Sequence, residues 1–322
     1  MVVNKFLPRG KLRVAAVGSL IVVLAAVSLM VSPLPLKWEE AEAARGHVWA
    51  QRDLGCRFDE GVGVGRNPAC AAFWYRKAAE QGDAAAQCNL GLLYLRGRGV
   101  RRDSKTAIKW LRSAAAQGEA AACFDLGSLY ARGLGVPQDY RQAAAWYRRA
   151  AAAGSARAMY NLGRDYARGE GVPRDYQNAM RWFRRAAAAG AADAMGYLGL
   201  MYSRGLGVLP NYRKALGWYR RAAAAGNAVA MYNIGWHYAE GEGVGQDYGE
   251  ALVWWRRAAA AGDYRAMNGI GVFYAKGLGV AKNAARARSW LKRAAAAGYA
   301  PAGRALGRLG LEPQTRQSRG AK

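Results

Sequence analysis

Histidine is almost missing from this chain. Only His47 and His237 occur in 322 residues, and neither has a nucleophile and a third orienting group in a recognisable spacing. Cysteine is scarce as well. Cys56, Cys70, Cys88 and Cys123 are scattered and have no histidine companions, so they do not make a zinc site. Acidic residues number 22 against 48 Lys and Arg, which leaves a net charge of +26. The few carboxylates that draw the eye, Glu60, Glu170, Glu240 and Glu242, fall at loop entrances, where solvated acids are routine. Two glycine-rich runs, Gly61-Val62-Gly63-Val64-Gly65 and Gly241-Glu242-Gly243-Val244-Gly245, lack the third-glycine spacing of a dinucleotide fingerprint. They also follow predicted helices where that fingerprint must follow a strand. No catalytic constellation, cofactor cradle, metal set or small-molecule substrate site is indicated, and the expectation is a protein that is not an enzyme.

What the chain does have is a period. Leu54-Gly55, Leu90-Gly91, Leu126-Gly127, Leu162-Gly163, Leu198-Gly199, Ile234-Gly235, Ile270-Gly271 and Leu306-Gly307 are each 36 residues apart. A fixed step without insertions marks an array of small helical units, each burying its apolar face only against its neighbours.

The repeat from Ser155 to Gly190 shows the design. Ser155 can cap a helix start, and Ala158, Met159, Leu162, Gly163 and Tyr166 then share one helical face. A glycine in mid-helix costs about 1 kcal/mol against alanine, so Gly163 suggests the close approach of a second helix. Gly169-Glu170-Gly171-Val172 ends the first helix, Pro173 favours a turn, and Asp175 can cap the next helix. Ala179, Trp182, Phe183, Ala186 and Ala187 form its apolar stripe, and Gly190 stands at its C-cap. The frame predicts caps at Asp83, Glu119, Ser155, Asn227 and Asp263, with Ala191 and Tyr299 departing from it. The recurring Trp74, Trp110, Trp146, Trp182, Trp218, Trp254 and Trp290 are expected as core wedges between helices. Seven helix–turn–helix repeats result, followed by a C-terminal half-repeat, over residues 47–309. A short, basic and disordered tail is expected at 310–322.

Residues 1–43 differ. Lys5, Arg9, Lys11 and Arg13 precede an uncharged apolar run from Val14 to about Leu36. The run is longer than the roughly 7–15 residues of a signal h-region, which favours a retained anchor. Ala41-Glu42-Ala43 has the small–x–small form of a cleavage site, which favours a signal peptide. Either reading places the repeats outside the cytoplasm, in a periplasm or cell envelope.

Residues 1–43 hold five basic and three acidic side chains, which leaves +24 on the remainder. Part of this charge is periodic. Arg76, Arg112, Arg148, Arg184, Arg220, Arg256 and Lys292 share one repeat position, and Lys77, Arg149, Arg185, Arg221, Arg257 and Arg293 share the next. This basic ridge complements helix dipoles and keeps the surface solvated. It also suits an anionic membrane, a polysaccharide or an acidic protein. Nucleic acid is not expected, since no nucleic-acid motif is present. A bond between Cys56 and Cys70 would close a 15-residue loop, worth about 3 kcal/mol, but helical phase points Cys56 away from its partner helix.

Leu126-Gly127-Ser128-Leu129-Tyr130-Ala131-Arg132-Gly133-Leu134-Gly135-Val136 and Ala143-Ala144-Ala145-Trp146-Tyr147-Arg148-Arg149-Ala150-Ala151 resemble the Sel1-like repeat family, relatives of the tetratricopeptide repeats. The resemblance covers about four-fifths of the chain. It implies an all-α, right-handed α/α solenoid and an adaptor or scaffold role, often in bacterial envelopes. In the cysteine-rich branch of that family, cysteines fall late in one second helix and early in the next first helix. Cys123 matches one such place, but Ala115 stands at its counterpart, which weakens the case for that branch's disulfides and β-lactam activity.

The resemblance also implies that the first helices line a concave groove. The face opposite the Leu and Tyr stripe carries Cys88 with Leu92, Phe124 with Ser128, Tyr160 with Arg164, Gly196 with Leu200, Tyr232 with Trp236, and Asn268 with Val272. Aromatic residues and arginine are enriched among binding anchors. Phe124, Tyr160, Asn161, Arg164, Tyr232, Asn233, Trp236 and His237 are the candidate partner-binding residues, for a protein or peptide partner. Alternatively, these side chains pack on the adjacent unit. The other functional readings are a basic scaffold for anionic envelope polymer or lipid, and an exported hydrolase or β-lactam-binding enzyme.

Overall fold

The computed structural model describes residues 36–311. The apolar run from Val14 and the tail from Glu312 lie outside the described residues. So does most of the expected anchor or signal segment. Among the described residues there are sixteen helices and no strand. None of these helices is long and apolar enough to cross a membrane, and no group of three metal-ligating side chains occurs.

The described residues fall into two compact units that divide between Gln117 and Gly118. The first holds α1 (Leu36–Ala44), α2 (Val48–Glu60), α3 (Pro68–Glu80), α4 (Ala84–Arg96) and α5 (Ser104–Ala116). The second holds α6 (Ala120–Arg132), α7 (Tyr140–Ala152), α8 (Ala156–Arg168), α9 (Tyr176–Ala188), α10 (Ala192–Arg204), α11 (Tyr212–Ala224), α12 (Ala228–Glu240), α13 (Tyr248–Ala260), α14 (Tyr264–Lys276), α15 (Ala284–Ala296) and α16 (Ala300–Arg308). Even-numbered helices open a repeat and odd-numbered ones close it. Within each unit a first helix packs on its own second helix, which packs in turn on the next first helix.

Local chemistry sets the boundaries as the sequence predicts. Asp83, Ser155, Asn227 and Asp263 accept backbone N–H bonds at the starts of α4, α8, α12 and α14, and Glu119 does so at α6. Ala191 and Tyr299 make no side-chain cap. First helices end on a left-handed glycine such as Gly169, whose N–H returns to the Asp165 carbonyl.

Glycine also sets the spacing between helices. A Cβ on Gly163 would stand 2.6 Å from the Phe183 ring, and one on Gly127 would stand 2.6 Å from the Tyr147 ring. The buried wedge residue of each second helix, a ring in five of them and leucine in α5 and α15, thus lies directly over the glycine of its first helix. The turn glycine Gly171, at φ +71°, sits so close to the Tyr140 carbonyl that any side chain there would overlap it. Gly207, Gly243 and Gly279 likewise seat their turns on Tyr176, Tyr212 and Tyr248, at the start of the preceding repeat's second helix.

Three findings differ from the expectations. First, the periodic tryptophans are half-buried. The core wedge is the residue after each one: Tyr75, Leu111, Tyr147, Phe183, Tyr219, Trp255 and Leu291 are all buried. Trp146, Trp182, Trp218, Trp254 and Trp290 each carry on one face the guanidinium three residues on, at 4.2–4.8 Å. The five arginines of the second row are therefore stacked on indole, while Lys77 lies over Phe73 at 5.9 Å.

Second, the repeat frame begins before residue 47. Trp38, Ala43 and Gly46 in and after α1 stand 36 residues before Trp74, Ala79 and Gly82. Ala43 is buried, and its carbonyl accepts a bond from Gln51 Nε2 at 3.1 Å, as the Ala79 carbonyl does from Gln87. At the core-wedge position stands Glu39, 1% exposed, 2.7 Å from Arg57 on α2. The Ala41-Glu42-Ala43 sequence is thus part of a helix packed on the first repeat. At the other end, Leu311 is buried and its carbonyl accepts from Arg288 Nε at 2.7 Å, so the ordered chain runs past residue 309.

Third, Cys56 faces its partner helix. Its thiol bonds to Tyr75 on α3, and burial raises its pKa. Cys56 and Cys70 are free thiols.

Candidate functional site

The first row of the ridge is built into the stack. Arg76 donates to the Tyr94 hydroxyl at 2.7 Å, Arg148 to Tyr166 at 3.3 Å, Arg184 to Tyr202 at 3.0 Å, Arg220 to Tyr238 at 3.3 Å and Arg256 to Tyr274 at 3.2 Å. Each bond joins a second helix to the following first helix. The sequence held the signal for this ladder, a Tyr 18 residues after each Arg, but charge patterning alone points to solvent.

The candidate residues gather at three recesses on the first helices of the second unit. One recess of 240 Å³ is lined by Leu200, Arg204, Tyr232, Asn233, Trp236 and His237. A second, of 360 Å³, shares Tyr232 and Trp236 and adds Trp255, Arg265, Asn268 and Phe273. A third, of 580 Å³, takes in Phe124, Tyr160, Asn161 and Arg164 together with Tyr147 and Asp165.

The candidates differ in what they have free. Trp236 is 45% exposed, the most open of the eight. Tyr232 stacks on Trp255 at 6.2 Å, with the Arg265 guanidinium 4.5 Å over its ring, and its carbonyl accepts from the Trp255 indole at 3.0 Å. Phe124 is buried, packed on Tyr147 at 5.7 Å and covered by Arg157 at 4.2 Å. Tyr160 lies between Phe183 and Tyr197, at 5.9 and 5.6 Å. Asn161 and Asn233 are half-buried, facing the Tyr147 and Tyr219 hydroxyls of the preceding second helix. Adjacent-repeat packing thus takes up much of Phe124, Tyr160 and the two asparagines.

His237 is the clearest departure. It is 2% exposed, set against the rings of Tyr212 and Tyr219 at 5.6 and 5.7 Å. Its Nδ1 lies 3.2 Å from the Glu242 carbonyl, the geometry of a donated Nδ1–H. Burial lowers its pKa and outweighs the Glu242 carboxylate, so it is a neutral packing group and not an exposed anchor.

One lining residue was not among the candidates. Asp165 is 8% exposed, and its Oδ2 is buried without a hydrogen-bond partner, as is Arg164 Nε beside it. Burial is the largest cause raising its pKa to about 7. Glu170 adds to the shift, while Arg164, Arg148 and Arg168 oppose it. The signal was available in the repeat frame. The same position is apolar in four repeats, Leu93, Leu129, Met201 and Phe273, and otherwise holds Arg57 and His237.

Consecutive helical hairpins, whose side chains line these recesses, define the chain as an α/α repeat protein. Seven Sel1 repeats match at residues 50–83, 84–119, 120–155, 156–190, 192–227, 228–263 and 265–299. The chain belongs to the Sel1 repeat family. Its fold is similar to that of a protective antigen present in uropathogenic Escherichia coli strains and displaying an SLR fold, with a TM-score of 0.74 and 35% identity. That match covers 85% of this chain and 59% of the other, so the chain spans little more than half of that protein's length. It is also similar to a Sel1 repeat protein from Oxalobacter formigenes, with a TM-score of 0.73 and 34% identity over 85% of this chain and 80% of that one. No curated protein matches the chain. Sel1 repeats commonly mediate protein–protein interaction.

Proposed function

We propose that the chain is a non-catalytic scaffold of the bacterial cell envelope that holds a segment of a protein partner across the first helices of residues 118–311. One observation carries the reading: the exposed Trp236 stands between two recesses that it lines together with Tyr232. A large aromatic left open beside concave, mixed-polarity pockets is the usual form of a binding anchor. The basic residues followed by the apolar run from Val14 to Leu36 support placement in the envelope.

The polymer reading is less favoured, because Arg76, Arg148, Arg184, Arg220 and Arg256 are already committed to tyrosine hydroxyls. The test places a photo-crosslinking amino acid at position 236 in living cells and identifies what it captures. The captured polypeptide, once purified, is expected to bind wild type and to lose at least tenfold in affinity for the Tyr232→Ala, Trp236→Ala double variant. Unchanged affinity, or crosslinks to no polypeptide, would refute the proposal.

A further inference from the structure

The 580 Å³ recess contains a buried carboxylate oxygen, Asp165 Oδ2, that the fold leaves without a donor. Arg164, Arg148 and Arg168 act on Asp165 through space, but none of them donates to its buried Oδ2. Arg148 of α7 donates to Tyr166 at 3.3 Å, Arg168 of α8 lies 3.5 Å from Glu170, and Arg157 covers Phe124 at 4.2 Å. Arg164 lies 5.9 Å over Tyr160, with its Nε buried and unpartnered. Asp125 and Arg132 of α6 also line the recess, as do Tyr140 and Tyr147 of α7 and Asp193 of α10. An ionised carboxylate is acceptor-only, so a buried oxygen without a donor calls for a proton or a cation. Tyr140 and Tyr147 give the recess an aromatic wall suited to an alkyl stem and its charged tip.

We infer that this recess receives a basic side chain of the bound partner segment, with Asp165 as its counter-ion. The inference rests on the groove reading proposed above. It makes binding proton-linked, since empty Asp165 titrates at about 7 and a cation beside it holds it ionised.

The test measures binding of a short polyglycine peptide with one central lysine to the full chain, against the same peptide with norleucine. Wild type is expected to prefer lysine at least tenfold at pH 8, with lysine affinity falling about tenfold by pH 6. Asp165→Asn and Asp165→Leu are expected to lose the preference with unchanged helical content. The leucine variant is a safe fold control, since Leu93 and Leu129 occupy the same repeat position. Equal binding of the two peptides to wild type, no measurable lysine binding, or a preference retained in Asp165→Asn would overturn the inference. If the position-236 crosslink identifies a partner while any of these three results is obtained, the scaffold reading stands and the assignment of Asp165 fails alone.

Discussion

Gly163→Ala and Gly217→Ala make the same chemical change in two helices of the second unit, yet they should move stability in opposite directions. Gly217 lies in the middle of α11 with nothing within 4 Å of where a Cβ would stand, so alanine there gains helix propensity of up to about 1 kcal/mol. At Gly163 the same methyl group meets three Phe183 ring carbons at 2.6, 2.6 and 2.9 Å. Ordinary carbon contacts begin near 3.5 Å, so the ring or the helix must move by most of an ångström. Phe183 is fully buried and stacked on Tyr197 at 5.1 Å, so it has little room to slide. Overpacking costs about 1–3 kcal/mol, and three contacts under 3 Å on a fixed ring place this one at about 2–3 kcal/mol, so that a propensity gain of up to about 1 kcal/mol leaves a net loss of about 1–2 kcal/mol. Chemical denaturation gives the sign for each variant. Because repeat arrays open in segments, amide exchange in α8 and α9 locates the loss. A Gly163→Ala protein as stable as wild type would refute the account of how these hairpins pack.

Other perturbations follow from the same contacts. Tyr238→Phe removes the hydroxyl that accepts from Arg220 and should cost under about 1 kcal/mol in thermal denaturation, as expected for an exposed bond. Glu39→Ala strands Arg57 in a largely buried site and should destabilise α1 and α2 by about 3 kcal/mol, read as early loss of exchange protection there. Under alkylation of the native protein Cys70 should react first. Burial raises the thiol pKa of Cys56 and Cys123, and Cys88 is buried, so these three should label slowly until denaturant is added. The folded pKa of His237 lies below its unfolded value, so its contribution to stability is present above about pH 6.5 and is lost as pH falls below it. His237→Gln should flatten that acid limb of the stability profile, and an unchanged limb would rule the residue out as its source.

The period alone made the helices, their caps and the close approach at Gly163 legible, because each is a local rule repeated at one offset. It did not reveal which aromatic of each Trp-aromatic pair is buried. Adjacent residues on a helix differ by about 100°, and the apolar stripe is wide enough to admit either. The ring over the glycine takes the core, and the tryptophan is left to stack with an arginine. The start of the array was masked for another reason. α1 carries Glu39 where the other repeats carry Tyr, Phe, Trp or Leu, so an apolar pattern cannot find it, although Trp38, Ala43 and Gly46 keep the frame. The candidate site was found as a face, but its details were not. Exposure of Trp236 and burial of His237, its neighbour in sequence, depend on the second helix packed against them.

The repeat frame also separates structural charge from charge that a partner would have to answer. Arginines that recur at one position meet a recurring partner, the tyrosine hydroxyl or the indole face, so the net charge of +26 overstates what is free for a ligand. Reversing Arg148, Arg184, Arg220 and Arg256 would therefore break the ladder between repeats as well as change the surface potential, and lost polymer binding in such a variant would not identify a site. Polar residues that break the frame carry more information. At the position shared by Leu93 and Leu129, Arg57 is answered by Glu39, and His237 is answered by the Glu242 carbonyl. The Glu39 oxygens are also buried without a hydrogen bond, but Glu39 lies 2.7 Å from Arg57, whereas Asp165 Oδ2 has no such partner among the described residues. A fold that satisfies the other two departures and leaves this one open keeps a cost it could shed with leucine, and a ligand that supplies the missing charge gives that cost a use.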